Sequence, residues 1–279
     1  MLVELAVGDA YGAGFEYAAS EFVLRHNTLR GYVQHAKHTS IRPGQYTDDT
    51  QMTLAVAELL ADGGTWTAAA LADRFVEVFH RDRRAGYAAR FYDLLRGLSD
   101  GADLLAKIRP DSDKSGAAMR AGPVGLLPTV PDVLHHAAVQ ARITHDTPDG
   151  VASAQAAALA VHYCDRQLGP VARLPEWISA QVDGDWATPW RGKVGSKGVM
   201  SVRAAITALA AGGGLSSILH ACVAFTGDVD TVATVALAAA SRTPEIAADL
   251  PAVLLDGLEN DAYGRDYLTA LDIRLLAVR

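Results

Sequence analysis

The sequence predicts an all-α protein folded as a single domain over residues 1–279, and three observations predict it. Apolar residues recur at helical spacing along most of the 279-residue chain. Short loops rich in Gly, Pro and Asp separate these runs. No fixed-period repeat and no low-complexity linker divides the chain. Half of the residues are hydrophobic and 20% are charged, enough for a sizeable core and too apolar for wholesale disorder.

The helical runs follow in order. MTLAVAELLAD (52–62) carries apolar residues at Met52, Leu54, Ala55, Val56, Leu59 and Leu60, close to one stripe. TAAALADRFVEVFHRD (67–82) repeats the pattern and stops near RRAGY. VPDVLHHAAVQARI (130–143), GVASAQAAALAVHYCDR (150–166) and GVMSVRAAITALAAG (198–212) come next. LSSILHACVAF (215–225), TVATVALAAASR (231–242) and LPAVLLDGLEN (250–260) complete the set. Their many small residues suit close helix packing in several layers. LRGYVQH (29–35) alone suggests a short hairpin arm.

Composition also narrows the setting. A formal charge of −7 argues against a general nucleic-acid binder, which usually carries a basic excess. Cys164 and Cys222 have no metal-ligand spacing and form no disulfide framework, so free buried thiols in a reducing cytoplasm are expected. The N-terminal MLVELAVGDAYGAG lacks a basic segment, and Glu4 and Asp9 interrupt its apolar run, so no secretory signal is expected. No charge-free apolar stretch reaches about 18 residues, so no membrane span is expected.

Four loop regions hold most of the unusual residues: GDAYGAGFEY (8–17), YTDDT (46–50), DSDKSGAAMR (111–120) with THDTPDG (144–150), and TGDVDT (226–231). In two of them acids and threonines stand directly before an apolar helix. A helix start needs one capping acid or hydroxyl, and a second adjacent acid adds repulsion. Thr47, Asp48 and Asp49 from one loop, with Asp228, Asp230 and Thr231 from the other, offer the all-oxygen set that hard cations such as Mg2+ prefer. Capping plus favourable charge at the helix dipole is the plain alternative for either loop alone.

These segments, with SGAAMRAGPVGLLP (115–128) and the closing GLENDAYGRDYLTALD (257–272), occur in the order found in the ADP-ribosylglycohydrolase family, which the chain resembles over nearly its whole length. The resemblance implies an orthogonally packed helical domain with a binuclear Mg2+ (or Mn2+) site at the base of a cleft. It implies cleavage of the glycosidic bond joining the distal ribose of ADP-ribose to an acceptor, with an ADP-ribosylated protein or other acceptor as partner. Carried across by position, the metal ligands are Thr47, Asp48, Asp49, Asp228, Asp230 and Thr231, with Asp49 and Asp228 also catalytic. Glu16 matches the glutamate after the family's GDA-G segment and is expected as a third catalytic carboxylate at the cleft rim, against a metal-bound water or the substrate. The plain alternative is a solvated loop glutamate.

The other loops are then expected to cradle the ligand. DSDKSGAAMR reads as a turn opening a helix at Gly116, and helix starts attract phosphates; Ser112, Ser115 and Gly116 are the expected contacts. The chain departs from the family here, with Ser115 where many members carry Asn and Lys114 where many carry Gly. His145 is assigned to the substrate cleft. Gly86 and Tyr87 are placed near it, with Tyr87 either stacking on adenine or ribose or packing in the core. Trp186 and Trp190 are read as packing residues. A non-catalytic ADP-ribose-binding or crystallin-like structural protein is the competing reading, disfavoured by six intact ligand positions, and a toxin-neutralising immunity protein is another. An arginine-linked substrate is weakly preferred, because a guanidinium leaves with less acid catalysis than an alkoxide.

Overall fold

The computed structural model describes residues 1–277. Among these residues, fifteen α-helices and two short 3-10 segments account for the regular structure. No β-strand occurs among the described residues, only isolated bridges such as Lys114 with Lys197 and Val194 with Gly227.

The centre is built from helices too uniformly apolar to have a solvent face. All twelve residues of helix Val229–Ala240 are buried. Around it pack Leu2–Ala13, Pro148–Asp165, Gly198–Ala210, Leu215–Ala224 and Asp48–Ala61. Alanine and glycine at the crossings let backbones approach closely. A Cβ added at Gly8 would lie 2.8 Å from Ala233 O, and one at Gly12 would overlap Asp230 Cα. Helix Ala68–Arg81 belongs to the outer layer: it turns Leu71, Ala72, Phe75, Val76, Val78 and Phe79 inward and its charged residues outward. Each large aliphatic or aromatic side chain so buried contributes about 1.5–3 kcal/mol.

Every helix expected from periodicity is present, but several begin earlier than expected. The run at Met52 starts at Asp48, and the segment GDAYGAGFEY is loop only from Gly14, its first six residues closing helix Leu2–Ala13. Helices Leu2–Ala13, Ser20–His26, Ala89–Arg96, Gly101–Lys107, Leu174–Ser179 and Arg265–Ala277 were not expected; Ala89–Arg96 is amphipathic but only eight residues long.

The hairpin expected at 29–35 does not form. Leu29 and Gly31 take positive φ values of 57° and 152°, which breaks the extended run. Side chains then satisfy the neighbouring backbone: Tyr32 Oη donates to Leu254 O at 2.8 Å and Gln34 Nε2 to Ile41 O at 2.8 Å. No helix among the described residues is long and apolar enough to cross a membrane, and both cysteines are free and buried.

Candidate active site

The doubled acids at 48–49 do not cap their own helix. Thr47 occupies the N-cap position without a side-chain cap bond. Asp9, fully buried on helix Leu2–Ala13, does that work from a different helix. Its Oδ2 accepts the N–H of Thr50 at 2.9 Å and of Thr47 at 3.0 Å. Its carboxylate also accepts both hydroxyls, Thr47 Oγ1 at 2.8 Å and Thr50 Oγ1 at 2.6 Å. Two of the N–H groups that a helix start leaves open are thereby satisfied, and neither Asp48 nor Asp49 is needed for them. Sequence reasoning missed Asp9 as a site residue. The signal was a lone acid in an apolar helix, where an unpaired charge is costly.

The second acid pair is arranged likewise. Asp228 precedes helix Val229–Ala240 without capping it, and its Oδ2 accepts Ser201 Oγ at 2.6 Å. Asp230 lies in the first turn. Carboxylate oxygens of Glu16, Asp228 and Asp230 all fall within 4.8 Å of one another. Glu16 is brought there by the turn after helix Leu2–Ala13. His35 Nδ1 accepts the N–H groups of Lys37 and His38, so its Nε2 carries the proton and donates to Glu16 O at 2.7 Å. The next residue, Tyr17, holds a positive φ of 48°, and its N–H donates to Gly227 O at 2.8 Å. That bond ties the Glu16 turn to the Asp228 loop.

These acids line one cleft of about 680 Å³, a volume ordinary for a ligand site. Glu16, Asp48, Asp49, Asp228, Asp230 and Thr231 sit at one part of its wall. Thr47 is not on that wall; its hydroxyl donates to Asp9. Burial raises the carboxyl pKa of Asp48, Asp49 and Asp230 well above the usual range, and the neighbouring carboxylates push it further. Burial, then the charges of Asp228 and Asp9, lifts Glu16 to about 7. Asp49 Oδ1 is buried with no hydrogen-bond partner. An oxygen-only donor set, crowded with negative charge and holding an orphaned acceptor, fits a hard divalent cation.

The remaining expected contacts border the same cleft: Gly86, Tyr87, Ser112, Ser115, Gly116 and His145. Gly86, at φ 109°, lies so close that a Cβ there would overlap Asp48 Oδ1. Tyr87 is mostly core, its Oη donating to Gln51 Oε1 at 2.7 Å and its ring edge-on to Phe79. The helix expected at Gly116 does open there but is a single turn, Gly116–Met119, so its dipole is weak and only local N–H groups are on offer. Lys114 Nζ donates to Ser196 Oγ at 2.8 Å. Trp186 and Trp190 are absent from the cleft wall, and Trp186 is buried with its Nε1 on Val182 O.

Arg120 was also missed, although it closes the quoted SGAAMR motif. It is 1% exposed and stacks on Phe75, 4.3 Å from the ring centroid. It donates to Gln140 Oε1, Gln140 O and Thr144 Oγ1 at 2.7–3.0 Å. Burial lowers its pKa to about 9, so it stays cationic at neutral pH. Burial, with the Arg120 charge, pushes His145 down to about 3, leaving that imidazole neutral.

The model of the family described as ADP-ribosylglycohydrolase matches residues 1–279. The chain belongs to the ADP-ribosylglycohydrolase family. Among its relatives, the ADP-ribosyl-[dinitrogen reductase] glycohydrolase of Rhodospirillum rubrum is 33% identical over 159 residues, which is 52% of this chain and 49% of that protein. ADP-ribosylhydrolase ARH3 of Xenopus tropicalis is 28% identical over 58% of this chain and 48% of its own length. ADP-ribosylarginine hydrolase Tri1 of Serratia proteamaculans is 24% identical over 58% and 45%. The chain thus spans about half the length of the curated relatives it matches. A solved structure, an ADP-ribosylglycohydrolase-related protein complex, superposes with a TM-score of 0.75 at 23% identity over 99% of this chain and 95% of that one. It shows that the helical fold is shared.

Proposed function

We propose that this protein is a hydrolase that cleaves the glycosidic bond between ADP-ribose and an acceptor, with two Mg2+ ions (or Mn2+) as cofactors. The observation that carries the reading is the convergence of Glu16, Asp228 and Asp230 within 4.8 Å, with Asp48 and Asp49 lining the same cleft and Asp49 Oδ1 buried without a partner. Thr47, Asp48, Asp49, Asp228, Asp230 and Thr231 would hold the ions. When bound, these would bind the 2- and 3-hydroxyls of the distal ribose and acidify the attacking water.

The chain's own groups do the rest. The catalytic carboxylates Glu16, Asp49 and Asp228 together take up the one proton that the attacking water releases. The clustered negative charge stabilises the positive charge that develops on the sugar ring. Glu16, on the rim, orients water or substrate against Asp228 and Asp230. Arg120 donates to Thr144 Oγ1, and that hydroxyl donates in turn to His145 Nδ1, 2.6 Å away. The imidazole proton then sits on Nε2, facing Gly116, as a donor to the diphosphate or proximal ribose. Ser112, Ser115 and Gly116 supply further donors, and Gly86 and Tyr87 close the adjoining wall.

An arginine-linked acceptor is preferred. Tyr17 lines the cleft beside Glu16, is 40% exposed, and already draws Lys193 Nζ to 5.4 Å from its ring centroid. A ring that attracts one cation can receive a guanidinium. The name of the Serratia relative points the same way. The two buried free thiols suit a reducing compartment such as the cytoplasm. The deciding experiment incubates the protein with arginine-linked and serine-linked ADP-ribosyl peptides and ADP-ribosylated DNA, with and without Mg2+, and follows free ADP-ribose. Release from none of them in Mg2+ or Mn2+ would overturn the activity. Release from the serine peptide alone would overturn only the linkage preference.

A further inference from the structure

Just before Thr47, Asp48 and Asp49, distant segments meet on the main chain of one residue, Tyr46. Glu259 Oε1 accepts the N–H of Tyr46 at 2.9 Å. Arg84 Nη1 donates to Tyr46 O at 3.3 Å and also to Glu259 Oε1. The rest of the guanidinium is equally committed, with Nε and Nη2 donating to Asp82 Oδ2 at 2.8 and 2.6 Å. Its plane lies over the Tyr46 ring, 3.9 Å from the centroid, and the Tyr46 hydroxyl donates to Tyr263 O at 3.0 Å. Both side chains of the pair are buried, at 3% and 8% exposure.

We infer that the buried Arg84–Glu259 pair is a positioning clamp for the cation donors: it holds both polar groups of the Tyr46 main chain and so sets where Thr47, Asp48 and Asp49 point. The inference rests on the metal reading proposed above. Neither residue faces the cleft, so the clamp acts through the backbone. It works from two sides. Two residues beyond Arg84, Gly86 abuts Asp48 Oδ1, so the guanidinium also fixes the wall against which that carboxylate rests. A lysine at 84 would keep the charge but lose the planar fork that reaches Tyr46 O, Glu259 and Asp82 together. Residues that orient metal ligands from behind typically change metal affinity about 10–100-fold when altered.

The test measures Mn2+ binding directly, from loss of the free-ion electron paramagnetic resonance signal, together with thermal melting without metal. Arg84→Lys and Glu259→Gln are compared with Arg242→Lys. That control disturbs the Arg242–Asp165 pair, beyond the far end of helix Val229–Ala240, about 18 Å from the acids at 1.5 Å per residue. The Mn2+ Kd is expected to rise at least about 10-fold in Arg84→Lys and in Glu259→Gln. Arg242→Lys is expected to lower the melting temperature yet keep the Kd within about twofold of wild type. Unchanged Mn2+ affinity in both clamp variants would overturn the inference, as would equal weakening in all three, since that marks general loosening. Glu259→Gln is nearly isosteric and carries the test if Arg84→Lys does not fold. Wild type that binds no Mn2+ would overturn the metal reading, and the clamp with it.

Discussion

Asp49 shows how a residue can be costly to the fold and still be retained. Its carboxylate is buried, lies among like charges, and has one oxygen without a donor. Asp49→Asn removes that charge, so the metal-free protein is expected to melt at a higher temperature than wild type. Turnover should fall by more than about 100-fold, and stabilisation by Mg2+, which follows binding to the folded state, should vanish. Melting curves with and without saturating Mg2+ check both signs. Glu16→Gln keeps shape but loses charge and proton-accepting capacity. Its kcat should drop about 10²–10⁴-fold while ADP-ribose binding stays within about threefold. If binding weakens in step with rate, Glu16 positions the ligand and takes no proton. At this scale the doubled acids were legible because capping needs only one. Asp9 and Arg120 were not, because a lone Asp or Arg on an apolar helix face does not say from which distant segment its partner comes.

Helices carry the site by their ends and reach it by their glycines. Gly8 and Gly12 are separated by one helical turn and face helix Val229–Ala240, bringing the two backbones into contact. Gly12→Ala forces the pair apart at Asp230. Overpacking of this kind costs about 3 kcal/mol, which corresponds to roughly 5–10 °C in Tm for a chain of this size. It should also weaken Mn2+ binding, because Asp230 moves with the backbone. A melting temperature within 1 °C of wild type, itself about the resolution of such a shift, would mean the crossing relaxes at no cost. The longer amphipathic and alanine-rich helices were legible from period and composition. Helix Leu2–Ala13 was not, since ten of its twelve residues are buried and a helix buried all round has no polar face to set the period.

Across the whole molecule the acidic core links stability to pH. Asp48, Asp49 and Asp230 have raised carboxyl pKa values when folded, mainly through burial, and Glu16 is raised to about 7. A raised folded pKa means the folded state binds protons more tightly than the unfolded one. Its stabilising effect is therefore full below the unfolded carboxylate range, near pH 4, and fades as pH rises through the folded values. Without metal, stability should decline steadily between about pH 5 and 8. With saturating Mg2+ the decline should flatten or reverse, since the ion favours the ionised carboxylates. Chemical denaturation at pH 5, 6.5 and 8 with and without Mg2+ measures this, and a metal-free protein most stable at pH 8 would contradict it. The all-helical fold was legible in the sequence because its punctuation is regular. How the loops converge was not, because convergence depends on which helices cross.

The crossing of helix Leu2–Ala13 with helix Val229–Ala240 has a consequence in time. Asp9 and Glu16 come from the first tenth of the chain, Asp228 and Asp230 from beyond its four-fifths point. Contacts so distant in sequence form late, because the intervening loop must close first. On the ribosome, at about 5–20 residues per second, the early acids wait at least ten seconds or so for their partners. During refolding, helix content should recover first and Mn2+ capture should lag behind it, so that the ion reports the moment the chain closes on itself.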